Sequence, residues 1–262
     1  MRKTNYHMHT KRCMHASGSD EEYVLAAIEG GYEEIGFSDH CPWKYDSDFV
    51  AHMRMPLSQF DDYYQSIAAL RDKYKDQISI KIGLECEYFP KYMKWLEEFK
   101  EAKGLDYIIF GNHYYKTDEK RIYFGTECEY DHMLKAYIDE AIQGMETGLY
   151  AYLAHPDLFM HGRRKFDELA EKKSVRLCEA AKHLHIPLEY NLNGALYNDV
   201  MNVTHYPHPK FWEIAAHVGN DVIIGVDAHE PKAMMNDRYR DEAIAYLTSL
   251  DMNIIDKLPE KH

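Results

Sequence analysis

Short, β-rich apolar runs alternate along this chain with longer segments whose apolar positions recur at helical spacing, the pattern of parallel strands joined by helical crossovers. Runs at residues 5–9, 34–38, 78–86, 107–111, 150–154, 187–192 and 221–226 predict seven strands. Residues 252–255 fit either an eighth strand or a packed tail. Helices are expected over 20–30, 57–74, 90–100, 130–147, 167–183, 210–217 and 237–250. Ser19-Asp20-Glu21-Glu22 reads as a capping box and Gly30-Gly31 as the end of the first helix. Pro156 discourages regular structure after the fifth run.

The chemistry of the chain collects where these runs end. His7-x-His9 closes the first, Asp39-His40 the second, Glu85 falls within the third near its end, and His113 and His155 follow the fourth and fifth. Asp227-x-His229 follows the seventh. Residues two apart on a strand leave the same face, so each x-spaced pair can address one ion. Alternating strands and helices can close as a barrel or stay open as a doubly wound sheet, and periodicity does not choose between them. Ligands delivered from so many strand ends converge most easily on a barrel, whose active sites gather at the C-terminal rim. The expectation is therefore one domain over residues 1–262, a distorted (β/α)7 TIM-like barrel with a metal site at that rim.

Composition narrows the function. With 45% hydrophobic and 13% aromatic residues the chain can build a large core. A formal charge of −13 with no compensating basic run argues against a broad cationic face for nucleic acid or anionic lipid, so a small substrate is favoured. The five cysteines are scattered and form no C-x-x-C pair, which indicates neither a disulfide framework nor a thiolate zinc site. No signal-peptide pattern or membrane-length apolar run is present, and a cytoplasmic location is expected.

With His15, from the Cys13-Met14-His15 loop, the candidate ligands are His7, His9, His15, His40, Glu85, His113, His155, Asp227 and His229. That set exceeds one tetrahedral zinc and suits two or three divalent ions with open positions, zinc, manganese and iron all being compatible with imidazole and carboxylate donors. Three such ions, offset by Glu85, Asp227 and a bridging hydroxide, leave a local charge of roughly +3, which attracts a phosphate. Phosphoester hydrolysis by the metal-bridging hydroxide is the reaction this favours, with Glu85 and Asp227 as the catalytic carboxylates.

From His7-x-His9 through Asp227-x-His229 the chain resembles the PHP family, named for its polymerase and histidinol phosphatase members. The resemblance implies a trinuclear site: one ion on His7, His9, Glu85 and Asp227, a second on Glu85, His113 and His155, and a third on His15, His40 and His229. Within the family the opening His9-Thr10-Lys11-Arg12-Cys13-Met14-His15 looks most like the stand-alone histidinol phosphate phosphatases, which implies hydrolysis of L-histidinol phosphate to L-histidinol and phosphate in histidine biosynthesis. Other family members imply the alternatives, DNA ends or phosphotyrosine as substrate. A metal-storing or metal-sensing protein without turnover is the reading from a different class.

Arg163 and Arg164 are candidates to grip phosphate, with Arg164 slightly preferred, although a solvated dibasic loop explains them equally. Asn191 and Asn193 are candidates to face the substrate, and a turn accounts for them as well. The amine and imidazole of such a substrate need acidic or aromatic partners, for which Tyr114, Tyr115 and the loop 42–55 are unranked candidates. His52, His132, His161, His183, His185, His205, His208, His217 and His262 are expected not to be ligands.

Overall fold

A computed structural model describes residues 1–259, so His262 lies outside the described residues. The alternation becomes eight parallel strands, β1 (Thr4–Asn5), β2 (Glu34–Phe37), β3 (Ser79–Cys86), β4 (Tyr107–Gly111), β5 (Leu153–Ala154), β6 (Leu188–Asn191), β7 (Asp221–Gly225) and β8 (Asn253–Ile255), hydrogen-bonded in chain order. Between them run α1 (Asp20–Glu29), α2 (Phe60–Tyr74), α3 (Met93–Lys103), α4 (Phe124–Glu127), α5 (Asp131–Glu146), α6 (Glu168–His183), α7 (Leu192–Met201), α8 (Pro209–Val218) and α9 (Asp237–Ser249).

The chain forms two compact units. One holds Met1–Ile109 and Val226–Asp237, the other Phe110–Gly225 and the chain from Arg238 onward. In the first unit β1 pairs with β2 through Thr4↔Glu34, and β2 with β3 from Glu34↔Ser79 to Phe37↔Ile82. The start of β4 joins them, with Asp106 N donating to Ile82 O at 2.9 Å. Tyr107 packs against two glycines, Gly36 and Gly83, where a Cβ would stand 2.2 Å from its hydroxyl oxygen and 2.5 Å from a ring carbon. Only glycine leaves room for that approach, and the buried Tyr107 hydroxyl then donates to Tyr6 O at 2.8 Å. The capping box is present: Ser19 Oγ accepts from Glu22 N at 3.3 Å, and Glu22 Oε2 accepts from Ser19 N at 2.6 Å.

In the second unit the end of β4 pairs with β5 through Phe110↔Leu153, and β5 with β6 through Leu153↔Leu188. The ladder continues Leu188↔Val222 and Asp221↔Asn253, so residues 253–255 form a strand rather than a tail. Asp167 caps α6 by accepting from Ala170 N at 2.9 Å.

Several boundaries differ from expectation. The first run narrows to two residues because Asn5 turns its side chain onto its own backbone, accepting from His7 N at 3.2 Å and donating to His7 O at 3.1 Å. The helix expected at Pro90 begins at Met93. Two helices were not expected: α4, a single turn, and α7, whose sequence LNGALYNDVM contains a glycine and two asparagines that lower helix propensity.

Candidate metal centre

In the first unit the segments after β1 and β2, the end of β3 and residues 227–229 are laced together at their C-terminal ends. His9 N donates to Ala228 O at 2.9 Å, Ser38 N to Met8 O at 2.9 Å, Glu85 N to Asp39 O at 3.0 Å and Cys41 N to Glu85 O at 2.8 Å. Asn5 Oδ1 also accepts from Val226 N at 2.8 Å, which starts residues 226–229 alongside His7 and His9. Met8 and Ala228 form a parallel bridge there. Asp227 adopts a left-handed φ of 52°, an uncommon state that costs energy and is held here by that lacing.

These backbones bring seven of the nine sequence candidates together: His7, His9, His15, His40, Glu85, Asp227 and His229. The rings of His9 and His40 are 4.4 Å apart, those of His9 and His229 4.3 Å, and those of His15 and His229 4.8 Å. His7, His9 and Glu85 are at most 1% exposed, whereas His15 lies at the solvent-facing lip. His7 Nε2 stands 3.5 Å from Glu85 Oε1 and 3.4 Å from Asp227 Oδ1, and His9 Nε2 stands 3.6 Å from Glu85 Oε2 and 3.1 Å from Asp227 Oδ1. His40 Nδ1 is 3.0 Å from Glu85 Oε2. Donors held about 2.0–2.2 Å from a tetrahedral ion are themselves about 3.4 Å apart, so the spacing and the N/O donor set fit a divalent cation. The two oxygens of Glu85 face different imidazoles, as a bridging carboxylate requires.

The tautomers agree. His15 Nδ1 lies 2.7 Å from Cys13 O and His229 Nδ1 lies 3.0 Å from Asp227 O, and a carbonyl can only accept, so Nε2 carries the lone pair in each. Burial opposes charge on His9, yet contacts with Asp227 and Asp39 raise it to about 9. Burial also opposes charge on Asp227, but the surrounding histidines hold it well below the usual carboxylate range. Burial and the positive His9 lower His229 to about 4. The cluster therefore attracts positive charge, and a metal ion must displace the His9 proton to bind.

Two residues outside the nine candidates border the cluster. Asp39 is fully buried behind His9, accepting from the backbone N–H of Thr10 at 3.3 Å and of His40 at 2.8 Å, and its carboxylate lies 3.6 Å from His9 Nδ1, which orients that imidazole. Cys13 lies beside His15 and His229, but burial and Asp39 push its thiol up to about 12, so it stays protonated.

The other two candidate ligands belong to the second unit, where the rings of His113 and His155 are 4.9 Å apart. His155 N donates to Glu189 Oε2 at 3.1 Å, and φ at His155 is 30°. Asn191 Oδ1 accepts from Gly194 N at 2.8 Å and caps α7, while its amide donates to Glu189 at 3.0 Å. Asn193 sits half-buried in the first turn of α7. Arg163 is not an available phosphate fork: its guanidinium donates to Asp131 at 3.0 Å and Asp167 at 2.5 Å, clamping the loop before α6. Arg164 keeps an exposed side chain, 3.4 Å from Glu129.

The profile of the PHP domain family matches residues 5–193, and the chain belongs to that family. A Deinococcus radiodurans protein named as a probable histidinol-phosphatase is 28% identical over 236 residues, 86% of this chain and 85% of that one. The Bacillus subtilis histidinol-phosphatase is 30% identical over 124 residues, 45% of this chain and 46% of that one. The solved structure of histidinol phosphate phosphatase from Lactococcus lactis subsp. lactis, complexed with zinc, L-histidinol and phosphate, matches with a TM-score of 0.75 at 20% identity, covering 98% of this chain and 97% of that one. The fold is thus the TIM-like α/β class expected from the sequence.

Proposed function

We propose that this protein is a metal-dependent phosphomonoesterase that hydrolyses L-histidinol phosphate to L-histidinol and phosphate. The observation that carries the reading is the buried donor cluster of the first unit, with carboxylate and imidazole atoms 3.0–3.6 Å apart. The names of the relatives support the choice of substrate. The family match crosses both compact units, which supports a single functional domain.

The ligand set is the family pattern: His7, His9, Glu85 and Asp227 for one ion, Glu85, His113 and His155 for a second, and His15, His40 and His229 for a third. Zinc is the first choice of metal, given the relative solved with it. When bound, such ions supply a nucleophile from water at neutral pH and stabilise charge on the phosphoryl oxygens. The protein's part is to favour the neutral form of His15 and His229 by burial, to aim Glu85 at more than one imidazole, and to orient the His9 ring and hold the His40 backbone through Asp39. The free, buried thiols of Cys13, Cys41, Cys86, Cys128 and Cys178 are consistent with work in the cytoplasm. Among the described residues no helix is long and apolar enough to cross a membrane.

The test is phosphate release by zinc-loaded protein from L-histidinol phosphate, single-stranded DNA and a phosphotyrosine peptide. Turnover of histidinol phosphate at least ~100-fold above the other two is expected. Activity confined to nucleic acid overturns the substrate, and zinc binding with no hydrolysis of any phosphoester overturns the enzyme.

A further inference from the structure

The loop of residues 41–57 starts beside His40 and, together with Met14, walls a cavity of about 340 Å³ in the same unit as the seven-donor cluster. Tyr45 and Phe49 meet edge to face at 5.0 Å, and Trp43 is held against Phe89 at 4.9 Å. Met14 occupies the lip between Cys13 and His15, with a left-handed φ of 69° and 55% exposure. A large apolar side chain displayed to solvent in a conformation L residues rarely adopt asks for a reason, and its position one peptide step from a candidate metal ligand suggests one.

The lining also includes a charge that the protein has neutralised. Arg54 and Glu87 are each 1% exposed and joined by two hydrogen bonds, at 3.0 and 2.7 Å. Trp43 Nε1 donates to Glu87 Oε2 at 2.8 Å, and Arg54 donates to Cys41 O at 3.0 Å. Cys41 follows His40 and Glu87 follows Glu85 by two residues, so one clamp fixes the aromatic loop to two ligand-bearing segments. The result is a small pocket walled by π faces, the thioethers of Met14 and Met55, and Lys44, near the lower end of the size range of ligand sites.

We propose that this cavity is the leaving-group subsite and takes a planar heteroaromatic ring, the imidazole of the substrate, between Tyr45, Phe49 and Met14. The inference rests on the phosphatase reading given above. A phosphate held at the donor cluster is joined to that ring by a short chain of single bonds, so the ring must lie just beyond the lip where His15 stands. Aromatic faces and a polarisable sulfur attract a flat ring; Arg54 is neutralised by Glu87, and Lys44 in the lining favours the neutral imidazole over the imidazolium.

The experiment compares kcat/KM of the zinc-loaded enzyme for L-histidinol phosphate with that for phosphoethanolamine, which has the amine but no ring. Tyr45→Ala and Phe49→Ala should each reduce the ratio of the two about tenfold, the scale of one lost aromatic contact, and Tyr45→Phe should restore it. A ratio that survives both alanine variants overturns the proposal. So does a ratio abolished by Tyr206→Ala in the second unit, where His161, His205 and Tyr206 form a competing ring cluster. Calorimetric binding of L-histidinol against 2-aminopropanol separates the two readings. If the enzyme turns over other phosphoesters but not histidinol phosphate, the substrate assignment fails. The subsite then stands only if wild type prefers the ring-bearing alcohol and both alanine variants lose that preference.

Discussion

Replacing Arg54 with methionine tests whether the buried clamp organises the metal centre. The substitution keeps most of the side-chain volume but leaves the Glu87 carboxylate, 1% exposed, facing only the Trp43 indole among these clamp partners. Two charge-assisted hydrogen bonds disappear, at 3.0 and 2.7 Å, each worth about 1.5–3 kcal/mol. Breaking one side of a buried ion pair costs about 3–5 kcal/mol by mutational precedent, so the two routes agree near 4 kcal/mol. Solvent offers no discount at this burial. Glu87→Leu should cost about the same, since it strands the guanidinium instead.

The double variant Arg54→Met/Glu87→Leu removes both charges and should cost less than either single change, because no buried charge is left unpaired. Urea unfolding of all four proteins gives the cycle. Zinc affinity, measured alongside, should fall about 10–100-fold in the single variants, as His40 and Glu85 lose the backbone that holds them. Single variants costing under about 1 kcal/mol, or a double variant at the plain sum of the two, would refute the reasoning.

Asp227→Asn and Glu85→Gln should each reduce phosphate release by more than ~100-fold and lower the zinc retained after gel filtration, read by metal analysis, while circular dichroism stays unchanged. Stripping zinc with a chelator should lower the unfolding temperature, since an ion at ~1,000 times its dissociation constant contributes about 4 kcal/mol, and restoring zinc should reverse the loss. Glu140 is buried and its carboxyl is pushed up to about 7 by burial, against 4.5 for a free one. An acid that holds its proton more tightly when folded contributes stability below about 4.5 and loses it as pH rises to about 7. That shift is worth about 3 kcal/mol in full and about 1–2 with solvent screening at the exposed Lys116 lip. Glu140→Gln, still able to accept from Lys116 N, should therefore raise the unfolding midpoint at pH 8 but not at pH 4; equal shifts at both would remove the titration argument.

Much of the fold was legible because strand and helix periods, caps and breakers are local. Residues 107–111 match β4, and Ser19 and Asp167 cap the helices their sequences announce. What was lost depended on competition between local signals. Asn191, at the end of β6, offered either a substrate-facing group or a turn, and its side chain caps α7, a helix that Gly194 and two asparagines had disguised. Arg163 suggested a phosphate fork because its partners were invisible: Asp167 is one helical turn on, and Asp131 belongs to the start of α5.

The same division explains the candidate metal centre. Period-two spacing nominated His7 with His9 and Asp227 with His229 as candidate donors, and the structure gathers the four although they lie beyond β1 and β7. The residues behind the donors follow another rule. Asn5 anchors Val226 across 221 positions of sequence, Asp39 serves His9, and Glu87 reaches Arg54 across a loop. None carries a spacing signature, because each was fitted to a backbone that the fold brings near. Metal ligands are constrained by the ion and repeat in pattern; their supports are constrained by the neighbouring chain, and only coordinates reveal them.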